Sequence, residues 1–383
     1  MLDRLFTGMN SLPFQVRYWD GSSATYGQEE PRFTLVFKEK VPLLKWLRSP
    51  VLSFGEAYMD GVVDIEGQIA DVIELASGSG ALHGKRTPSL LRKGISLRKE
   101  KENVQHHYDV GNDFYSLWLD ETMSYSCAYF RSPEDSLEQA QLQKIDYVLK
   151  KLQLRPGETL LDIGSGWGWL ILRAAKEYGV KAKGITLSEE QYRKSRERIA
   201  EHGLQGQAEV ELLDYRELAA RGDEFDKIAI VGMFEHVGRQ HFPAFMKAVQ
   251  TLLKGGGMAL LHTITQAKEV PTDPWIQKYI FPGGYIPSLR EVVALLPDFG
   301  FHLLDIENLR SHYALTLDHW AIRYEDSAEK TRKMFDERFV RMWRLYLQSS
   351  AAAFRLGDLH LHQILFSNGI TEDAAMTRDH LYR

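Results

Sequence analysis

Three closely spaced glycines follow an apolar, β-prone stretch that ends at Asp162, and a helical segment comes directly after them. The three are Gly164, Gly166 and Gly168. Because glycine has no Cβ, the backbone can turn sharply here and let a ligand lie directly against it. The later glycine of the dinucleotide fingerprint and the Gly-Lys-Ser/Thr of a nucleoside triphosphate loop are both missing. The motif predicts a strand, a tight turn and a ligand-binding helix start, without naming the ligand.

Further polar residues follow the next two predicted strands, at the carboxyl ends where ligands of open α/β sheets bind. Thr186 and Gln191 come after the second strand and can hydrogen-bond to a ribose, although capping of a helix by Ser188 explains the same segment. Asp214 and Tyr215 follow the third strand. An acid followed by a flat ring can accept a hydrogen bond from an exocyclic amine and stack on a purine.

The fourth and fifth predicted strands lead to Glu235, His236 and His262, and Cys127 lies upstream of them. An acid, two histidines and a cysteine are metal-ligand types. The chain has neither Cys-x-x-Cys nor His-x-x-x-His spacing, however, and the candidates lie on separate loops, so the sequence predicts no metal site. Taken one at a time, Cys127 and His262 also fit an ordinary apolar core.

The elements that must position these residues alternate between strands and helices from about residue 136 onward. Strands are predicted near 158–163, 181–187, 208–213, 225–231, 257–264 and 302–308, and helices near 136–152, 168–178, 189–202 and 241–253. This alternation predicts an α/β fold, with a Rossmann-like parallel sheet covered by helices on both faces.

Toward the C-terminus, the pattern predicts one long amphipathic helix over about 315–353 and a last strand over 359–366, which we place at a sheet edge. The helix carries an apolar stripe of Phe335, Phe339, Met342 and Tyr346. Apolar residues at helical spacing are typical of core packing, and a lipid-facing surface is the alternative.

The N-terminal residues predict a separate small α+β domain, with a strand over 32–37 and helices over 43–59 and 68–76. The predicted boundaries are 1–85 for this domain, 86–102 for a linker and 103–383 for the α/β domain. The linker is rich in lysine and arginine. Two explanations fit it: a solvated connector, or a contact with anionic lipid that gains about 1 kcal/mol per basic residue.

Composition limits the function classes further. A formal net charge of -5, with 26% charged and 44% hydrophobic residues, is ordinary and argues against general nucleic-acid binding. One cysteine predicts a reducing, cytoplasmic compartment rather than a disulfide framework. The N-terminus shows no secretory apolar region, and no apolar run approaches the ~18 residues of a membrane-spanning helix. We expect any membrane contact to come from the surface.

Longer motifs resemble the cyclopropane-fatty-acyl-phospholipid synthases, lipid methyltransferases that depend on S-adenosylmethionine (SAM) and are related to mycolic-acid cyclopropane synthases. The matching segments are 107–115, 125–130, 161–168, 231–238, 261–264 and 274–282, and residues 55–61 resemble the N-terminal domain of the bacterial phospholipid enzymes. One departure is Ser165, where such relatives often carry cysteine. The resemblance implies a class I SAM-dependent methyltransferase fold, with SAM as cofactor.

The resemblance also implies roles for particular residues. Bicarbonate is the general base of the family, and its ligands correspond to the backbone of Cys127 and Ile264 and to Glu235, His262 and Tyr313. Together with the strand-end residues, the predicted cofactor-binding set is Tyr125, Ser126, Gly164, Gly166, Gly168, Thr186, Gln191, Asp214 and Tyr215.

The implied chemistry accounts for these residue types. An alkene is a weak nucleophile, so the sulfonium methyl of SAM must be aligned with it at close range. Transfer leaves a positive charge on the acyl chain, which the faces of Tyr279, Phe281 and Tyr285 can stabilise. A base then removes a proton from the new methyl so that the ring closes, while water is kept out.

We therefore predict methylene transfer from SAM to the cis double bond of a phospholipid acyl chain. The enzyme is expected at the inner face of the membrane as a peripheral protein, and a homodimer is one possible state. Three alternatives stay open: a methyl-branched or methylidene acyl product, a small-molecule N-methyltransferase, and a catalytically silent lipid- or SAM-binding protein. The complete bicarbonate set and the N-terminal domain favour the lipid enzyme.

Overall fold

The computed structural model describes residues 6–9, 11–42, 46, 48–78 and 110–382. Contacts between Cα atoms divide the chain into two compact units. Unit 1 takes in the described residues of 1–93 with 270–282 and 317–358, and unit 2 takes in those of 94–269, 283–316 and 359–383. Two later segments thus join the N-terminal residues in unit 1. The predicted linker over 86–102 and the first residues of the 107–115 motif lie outside the described residues.

The secondary structure is numbered along the described chain. The strands are β1 (Phe14–Arg17), β2 (Ser23–Tyr26), β3 (Thr34–Phe37), β4 (Val63–Glu66), β5 (Thr159–Ile163), β6 (Lys181–Thr186), β7 (Ala208–Leu212), β8 (Phe225–Val231), β9 (Leu253–Gln266), β10 (Phe301–Asn308) and β11 (Leu359–Asn368). The helices are α1 (Pro50–Met59), α2 (Ile69–Gly78), α3 (Asn112–Tyr115), α4 (Leu137–Lys151), α5 (Trp169–Tyr178), α6 (Glu189–Glu201), α7 (Tyr215–Arg221), α8 (Phe242–Leu252), α9 (Pro274–Tyr279), α10 (Leu289–Leu295), α11 (Arg310–Asp326), α12 (Ala328–Met334), α13 (Glu337–Leu356) and α14 (Asp379–Tyr382).

Unit 1 contains a four-stranded sheet in the order β2-β1-β3-β4. β1 pairs antiparallel with β2 and parallel with β3, and β3 pairs antiparallel with β4. Alternate residues of β1 and β3 are buried, as expected when one face of a sheet covers a core. These residues are Phe14, Val16, Leu35 and Phe37. Of the four strands, the sequence predicted only β3.

The motif over 55–61 holds α9 inside unit 1. A Cβ on Gly55 would lie 2.4 Å from Cδ1 of the Trp275 indole, so only glycine allows this close approach. The Glu56 carboxylate accepts hydrogen bonds from Lys278 Nζ at 2.6 Å and from the Tyr279 hydroxyl at 3.0 Å. The N-terminal residues thereby fix a segment that lies more than two hundred positions later in the chain.

Unit 2 contains a seven-stranded sheet in the order β10-β11-β9-β8-β5-β6-β7. The five strands from β9 to β7 run parallel, and β11 and β10 run antiparallel to their neighbours. Buried, nearly continuous apolar strands such as β5 and β8 are typical of a sheet covered on both faces. The predicted α/β fold, with a mostly parallel sheet and alternating helices, is confirmed.

Helix starts near the strand ends follow from local side-chain caps. The Ser136 hydroxyl accepts a hydrogen bond from the backbone amide of Gln139, and the Gln139 side chain accepts one from the backbone amide of Ser136. This reciprocal pair begins α4. The Ser188 hydroxyl accepts from the Gln191 amide and begins α6. The Asp214 carboxylate accepts from the Arg216 amide and begins α7. Each cap satisfies amides that a helix would otherwise leave unpaired.

Two predictions for the C-terminal region are wrong. β11 lies between β10 and β9 rather than at the sheet edge, because its inner residues are buried on both sides. The long helix is broken into α11, α12 and α13, since the Asp336 carboxylate caps a new helix by accepting from the Phe339 amide at 2.7 Å. Along the apolar stripe, Tyr346 is buried but Phe335 is 39% exposed. Core packing therefore explains only the inner end of the stripe.

Candidate active site

A cavity in unit 2 brings together most of the predicted cofactor residues. Those that line it are Tyr125, Ser126, Gly164, Gly166, Thr186, Gln191, Asp214 and Tyr215. They come from the loops after β5, β6 and β7 and from a segment before α4, so residues up to about ninety positions apart converge on one space. Such convergence at the carboxyl ends of parallel strands is the usual ligand site of an open α/β sheet.

The three glycines of the turn have different environments. The amides of Gly164 and Ser165 both donate to the carbonyl of Ile185 at 3.0 Å, which holds the turn against β6. A Cβ on Gly164 would lie 2.9 Å from Met233, whereas a Cβ on Gly166 would meet nothing within 4 Å. Gly166 has φ of +53° and lines the cavity, so it is the glycine whose open side a ligand can occupy.

Gly168 does not line the cavity. It caps α5 with φ of +86°, and a Cβ there would lie 2.9 Å from the Ser195 hydroxyl. The structure thus gives Gly168 a turn and packing role, and its predicted contact with the cofactor stays a prediction.

The strand-end pairs after β6 and β7 already make bonds of their own. The Thr186 hydroxyl donates to Gln191 Oε1 at 2.7 Å, beside the cap made by Ser188. The Asp214 carboxylate accepts from Arg216 Nε at 2.7 Å and Nη2 at 2.6 Å. Contact between Asp214 and an adenine amine, which the sequence predicts, would therefore have to share the carboxylate with this guanidinium.

Sequence reasoning missed two buried charged residues of the cavity wall, Lys144 and Asp162. The Lys144 ammonium donates to the Ser126 hydroxyl at 3.0 Å, and burial lowers its pKa to about 8. Burial also raises the pKa of Asp162 to about 7. The sequence contained a signal for Lys144. This residue follows Leu137 by seven positions and precedes Val148 by four, so the helical repeat puts it on the buried face of α4.

Residues of the predicted anion site lie next to this cavity. His262 on β9 is the Cα partner of Val231 on β8, and its carbonyl accepts from the Gly232 amide at 2.9 Å. Val231 and Gly232 both line the cofactor cavity. Glu235 follows on a short 3-10 turn, and its carboxylate Oε1 accepts from the Ile264 amide at 2.6 Å. The Ile264 amide is thus engaged by Glu235 in this structure.

A chain of contacts connects Cys127 and Tyr313 to the same strands. Ile264 is the Cα partner of Leu361 on β11, whose carbonyl accepts from the Leu309 amide at 2.8 Å. The Leu309 carbonyl in turn accepts from the Tyr313 amide at 3.2 Å, and the Cys127 thiol lies 3.9 Å from it. Backbone pairing and these contacts therefore link the segments of all five predicted anion-site residues within unit 2, and the convergence of their ligand atoms on one anion stays a prediction.

Burial sets the protonation of this group. It raises the pKa of the Glu235 carboxyl above its ordinary value, although the hydrogen bond donated by the Ile264 backbone amide opposes the shift. It lowers the pKa of His262 well below its ordinary value, so the imidazole is neutral at pH 7. It also raises the pKa of the Cys127 thiol, which makes Cys127 a poor nucleophile.

This mostly parallel sheet, with a glycine turn and a polar cavity at its strand ends, defines a class I SAM-dependent methyltransferase. The crystal structure of the mycolic acid cyclopropane synthase CmaA1, complexed with SAH (S-adenosylhomocysteine) and CTAB, has the same fold. Its TM-score is 0.66 at 34% sequence identity, over 70% of this chain and 98% of that chain.

Comparison with known sequences agrees with this class. Residues 95–364 match the mycolic acid cyclopropane synthetase family, and residues 1–82 match a domain of unknown function. The protein is 38% identical to a probable fatty acid methyltransferase of Pseudomonas putida, over 100% of both chains. It is 42% identical over 341 residues to the cyclopropane-fatty-acyl-phospholipid synthase of Escherichia coli K12, over 87% of each chain. The chain belongs to the mycolic acid cyclopropane synthetase family.

Proposed function

We propose that this protein transfers a methylene group from SAM to the cis double bond of an unsaturated phospholipid acyl chain and so forms a cyclopropane ring. The observation that carries the proposal is a pair of buried polar atoms, Glu235 Oε2 and His262 Nε2, which have no hydrogen-bond partner among the described residues. The Escherichia coli relative, whose name specifies a phospholipid acyl substrate, supports the choice of substrate.

The residues present fit a bicarbonate ion. A buried polar atom without a partner costs about 1–3 kcal/mol, so two of them around one site are consistent with a small polar ligand. Bicarbonate offers one hydroxyl donor and several acceptor oxygens, which match a carboxylate acceptor and an imidazole N–H. When bound, it would supply the base that accepts a proton from the new methyl group.

The bonds of the reaction balance without any oxidant or reductant. The carbon–sulfur bond of the sulfonium breaks as a carbon–carbon bond to the alkene forms, which leaves SAH and a cation on the acyl chain. Loss of one methyl proton then closes the second ring bond. Glu235 and His262 would hold the base toward the new methyl group, and the base would take up the proton. The Tyr285 amide donates to the Glu235 carbonyl at 3.0 Å, which places an aromatic residue beside the site.

The decisive experiment uses the purified full chain with SAM and vesicles of a cis-monounsaturated phospholipid. A gain of one CH2 per acyl chain by mass spectrometry, with loss of olefinic and appearance of cyclopropyl protons by NMR, is the expected result. Vesicles of the saturated phospholipid serve as the matched control. SAM turnover without lipid product would rule the proposal out.

A methyl-branched or methylidene product is the second candidate. The Pseudomonas putida relative, named as a fatty acid methyltransferase, aligns with the whole of this chain and favours it. Loss of a proton from a neighbouring chain carbon converts the same cation into a methyl-branched alkene, and a 1,2-hydride shift followed by loss of a proton from the new methyl gives the methylidene. The mass gain would be identical, but the olefinic protons would persist in the NMR spectrum.

We further infer that the enzyme works at the cytoplasmic surface of a membrane. No helix in the part of the chain that the structure describes is long and apolar enough to cross a bilayer. The basic run around 85–101 would attract an anionic surface. Replacing Lys85, Arg86, Arg92 and Lys93 by glutamine should remove up to ~4 kcal/mol of this attraction before salt screening. Equal cosedimentation of mutant and wild type with anionic vesicles at low salt would mean that the basic run is only a connector.

A further inference from the structure

The imidazole of His262 has one protein partner outside the anion site. His262 on β9 and Gln363 on β11 are Cα partners in an antiparallel pair, so their side chains lie on the same face of the sheet. Both residues are buried. The distance from Gln363 Nε2 to His262 Nδ1 is 3.1 Å, a normal hydrogen bond. The other ring nitrogen, Nε2, has no partner among the described residues.

The bond to Gln363 decides where the single proton of the neutral ring resides. In this structure the amide nitrogen of Gln363 lies against Nδ1, and Gln363 Oε1 has no partner among the described residues. In that orientation the nitrogen donates, so Nδ1 accepts with its lone pair and carries no proton. A neutral imidazole then has its proton on Nε2, and the partner of one ring nitrogen fixes the state of the other. The reverse arrangement, with Gln363 Oε1 accepting from Nδ1–H, would leave a lone pair on Nε2.

We propose that Gln363 is a positioning residue that holds His262 in the tautomer with the proton on Nε2, so that the ring donates a hydrogen bond into the anion site. The tautomer is a property of the folded chain alone, whereas its effect on turnover rests on the proposed function. A lone pair on Nε2 would repel an anionic base, and an N–H attracts it. Glu235 Oε2 supplies the complementary acceptor.

The direct test is the tautomer itself. The protein has 13 histidines, so selective 15N-histidine labelling with a His262→Gln spectrum for assignment isolates the ring of interest. The expected spectrum at neutral pH shows a protonated Nε2 and an unprotonated Nδ1 for His262. A proton on Nδ1 in the wild type would overturn the proposal, and only the assignment of the signal requires the His262→Gln variant to remain folded.

Variants then link the tautomer to turnover. Gln363→Met keeps the volume and removes the donor, so Nδ1 is no longer held as an acceptor and the fraction of rings protonated on Nδ1 should rise. The KM for bicarbonate should rise on the order of tenfold, as when partners behind other histidine ligands are removed. Gln363→Glu presents only acceptors when ionised and should move the proton to Nδ1. SAM affinity should stay unchanged in both variants. If Gln363→Glu keeps the wild-type tautomer, the proposal fails.

A matched control comes from the same two strands. The Thr265 hydroxyl and His362 Nδ1 are 2.8 Å apart, a buried bond between β9 and β11 that does not involve His262. Thr265→Val removes this bond, and it should leave both the His262 tautomer and the KM for bicarbonate unchanged. If the tautomer is confirmed but turnover does not depend on bicarbonate, Gln363 still positions His262, and bicarbonate is rejected as the base.

Discussion

The cofactor cavity and the proposed anion site draw on neighbouring residues of unit 2, yet they are assembled in different ways. The cavity is built mainly from short local motifs: a glycine turn, a capped helix after β6 and another after β7. The proposed anion site draws on four separate segments, since His262 and Ile264 both lie on β9, and these segments are joined by bonds such as Glu235 to Ile264 and Leu361 to Leu309. Each motif of the cavity is a local feature of the chain, whereas the anion site exists only once the sheet has formed.

The difference extends to how the polar groups are satisfied. After β6 and β7, Thr186 and Asp214 already have side-chain partners, so a ligand there must share or displace existing bonds. Around β9, Glu235 Oε2 and His262 Nε2 are buried and have no hydrogen-bond partner among the described residues. We expect changes on the cofactor side to alter affinity for SAM, and changes on the anion side to alter turnover at unchanged SAM affinity.

The largest effect is expected from Glu235→Gln, which keeps the shape of the side chain and removes its charge. Turnover should fall by ~10²-fold or more, a typical contribution of general acid–base groups. SAM affinity, measured by calorimetry, should be unchanged because Glu235 is not among the residues that line the cofactor cavity. Glu269→Gln is the control, since Glu269 pairs with Arg239 and Arg290 at the surface. Wild-type turnover in Glu235→Gln, or activity that survives rigorous removal of bicarbonate, would refute the role assigned to the anion site.

The next effect belongs to the cofactor side. Gly166→Val should weaken SAM binding at least about tenfold, or roughly 1.4 kcal/mol, because the new side chain fills the open side of the glycine turn. Gly203 is a matched control, with φ of +64° and nothing within 4 Å of a Cβ, but outside the cavity. Gly203→Val therefore reports the backbone strain alone. Equal SAM affinity in the two folded variants would show that Gly166 does not contact the cofactor.

A smaller effect concerns pH. Burial holds the pKa of His262 well below its ordinary value of 6.5, so between the two values the unfolded chain binds more protons than the folded one. Stability contributed by this group is present above about pH 6.5 and is lost as the pH falls, with a slope of up to about 1.4 kcal/mol per pH unit. Urea unfolding of His262→Gln at several acidic pH values should show a shallower loss than the wild type. Parallel curves would mean that His262 is not buried in its neutral form.

The smallest effect separates capping from ligand binding after β6. Ser188→Ala should lower the free energy of unfolding by ~1 kcal/mol through loss of the helix cap. SAM affinity should change little, because the bond between Thr186 and Gln191 remains. Thr186→Val is the comparison, and it should weaken SAM binding if this pair contacts the ribose. If Ser188→Ala weakens SAM binding as much as Thr186→Val does, the segment acts as one unit and the distinction disappears.

The sequence alone determined the elements of unit 2 that depend on local pattern. Strands β5 to β8 and helices α4 to α6 and α8 lie within a residue or two of their predicted positions. A buried strand requires a run of apolar residues, a turn with positive φ favours glycine, and a helix start favours an oxygen-bearing side chain. These requirements act over a few neighbouring residues, so the chain displays them directly.

Tertiary structure alone decided features that require partners distant along the chain. It placed β11 inside the sheet, buried Lys144 in the cavity wall and set Gln363 against His262, about one hundred residues away. It also divided the predicted C-terminal helix and joined residues 270–282 to the N-terminal unit. A local pattern shows which face of an element is apolar, but not which distant face covers it. That choice minimises the exposed apolar surface and unpaired polar groups of the whole fold, and no short stretch of sequence contains it.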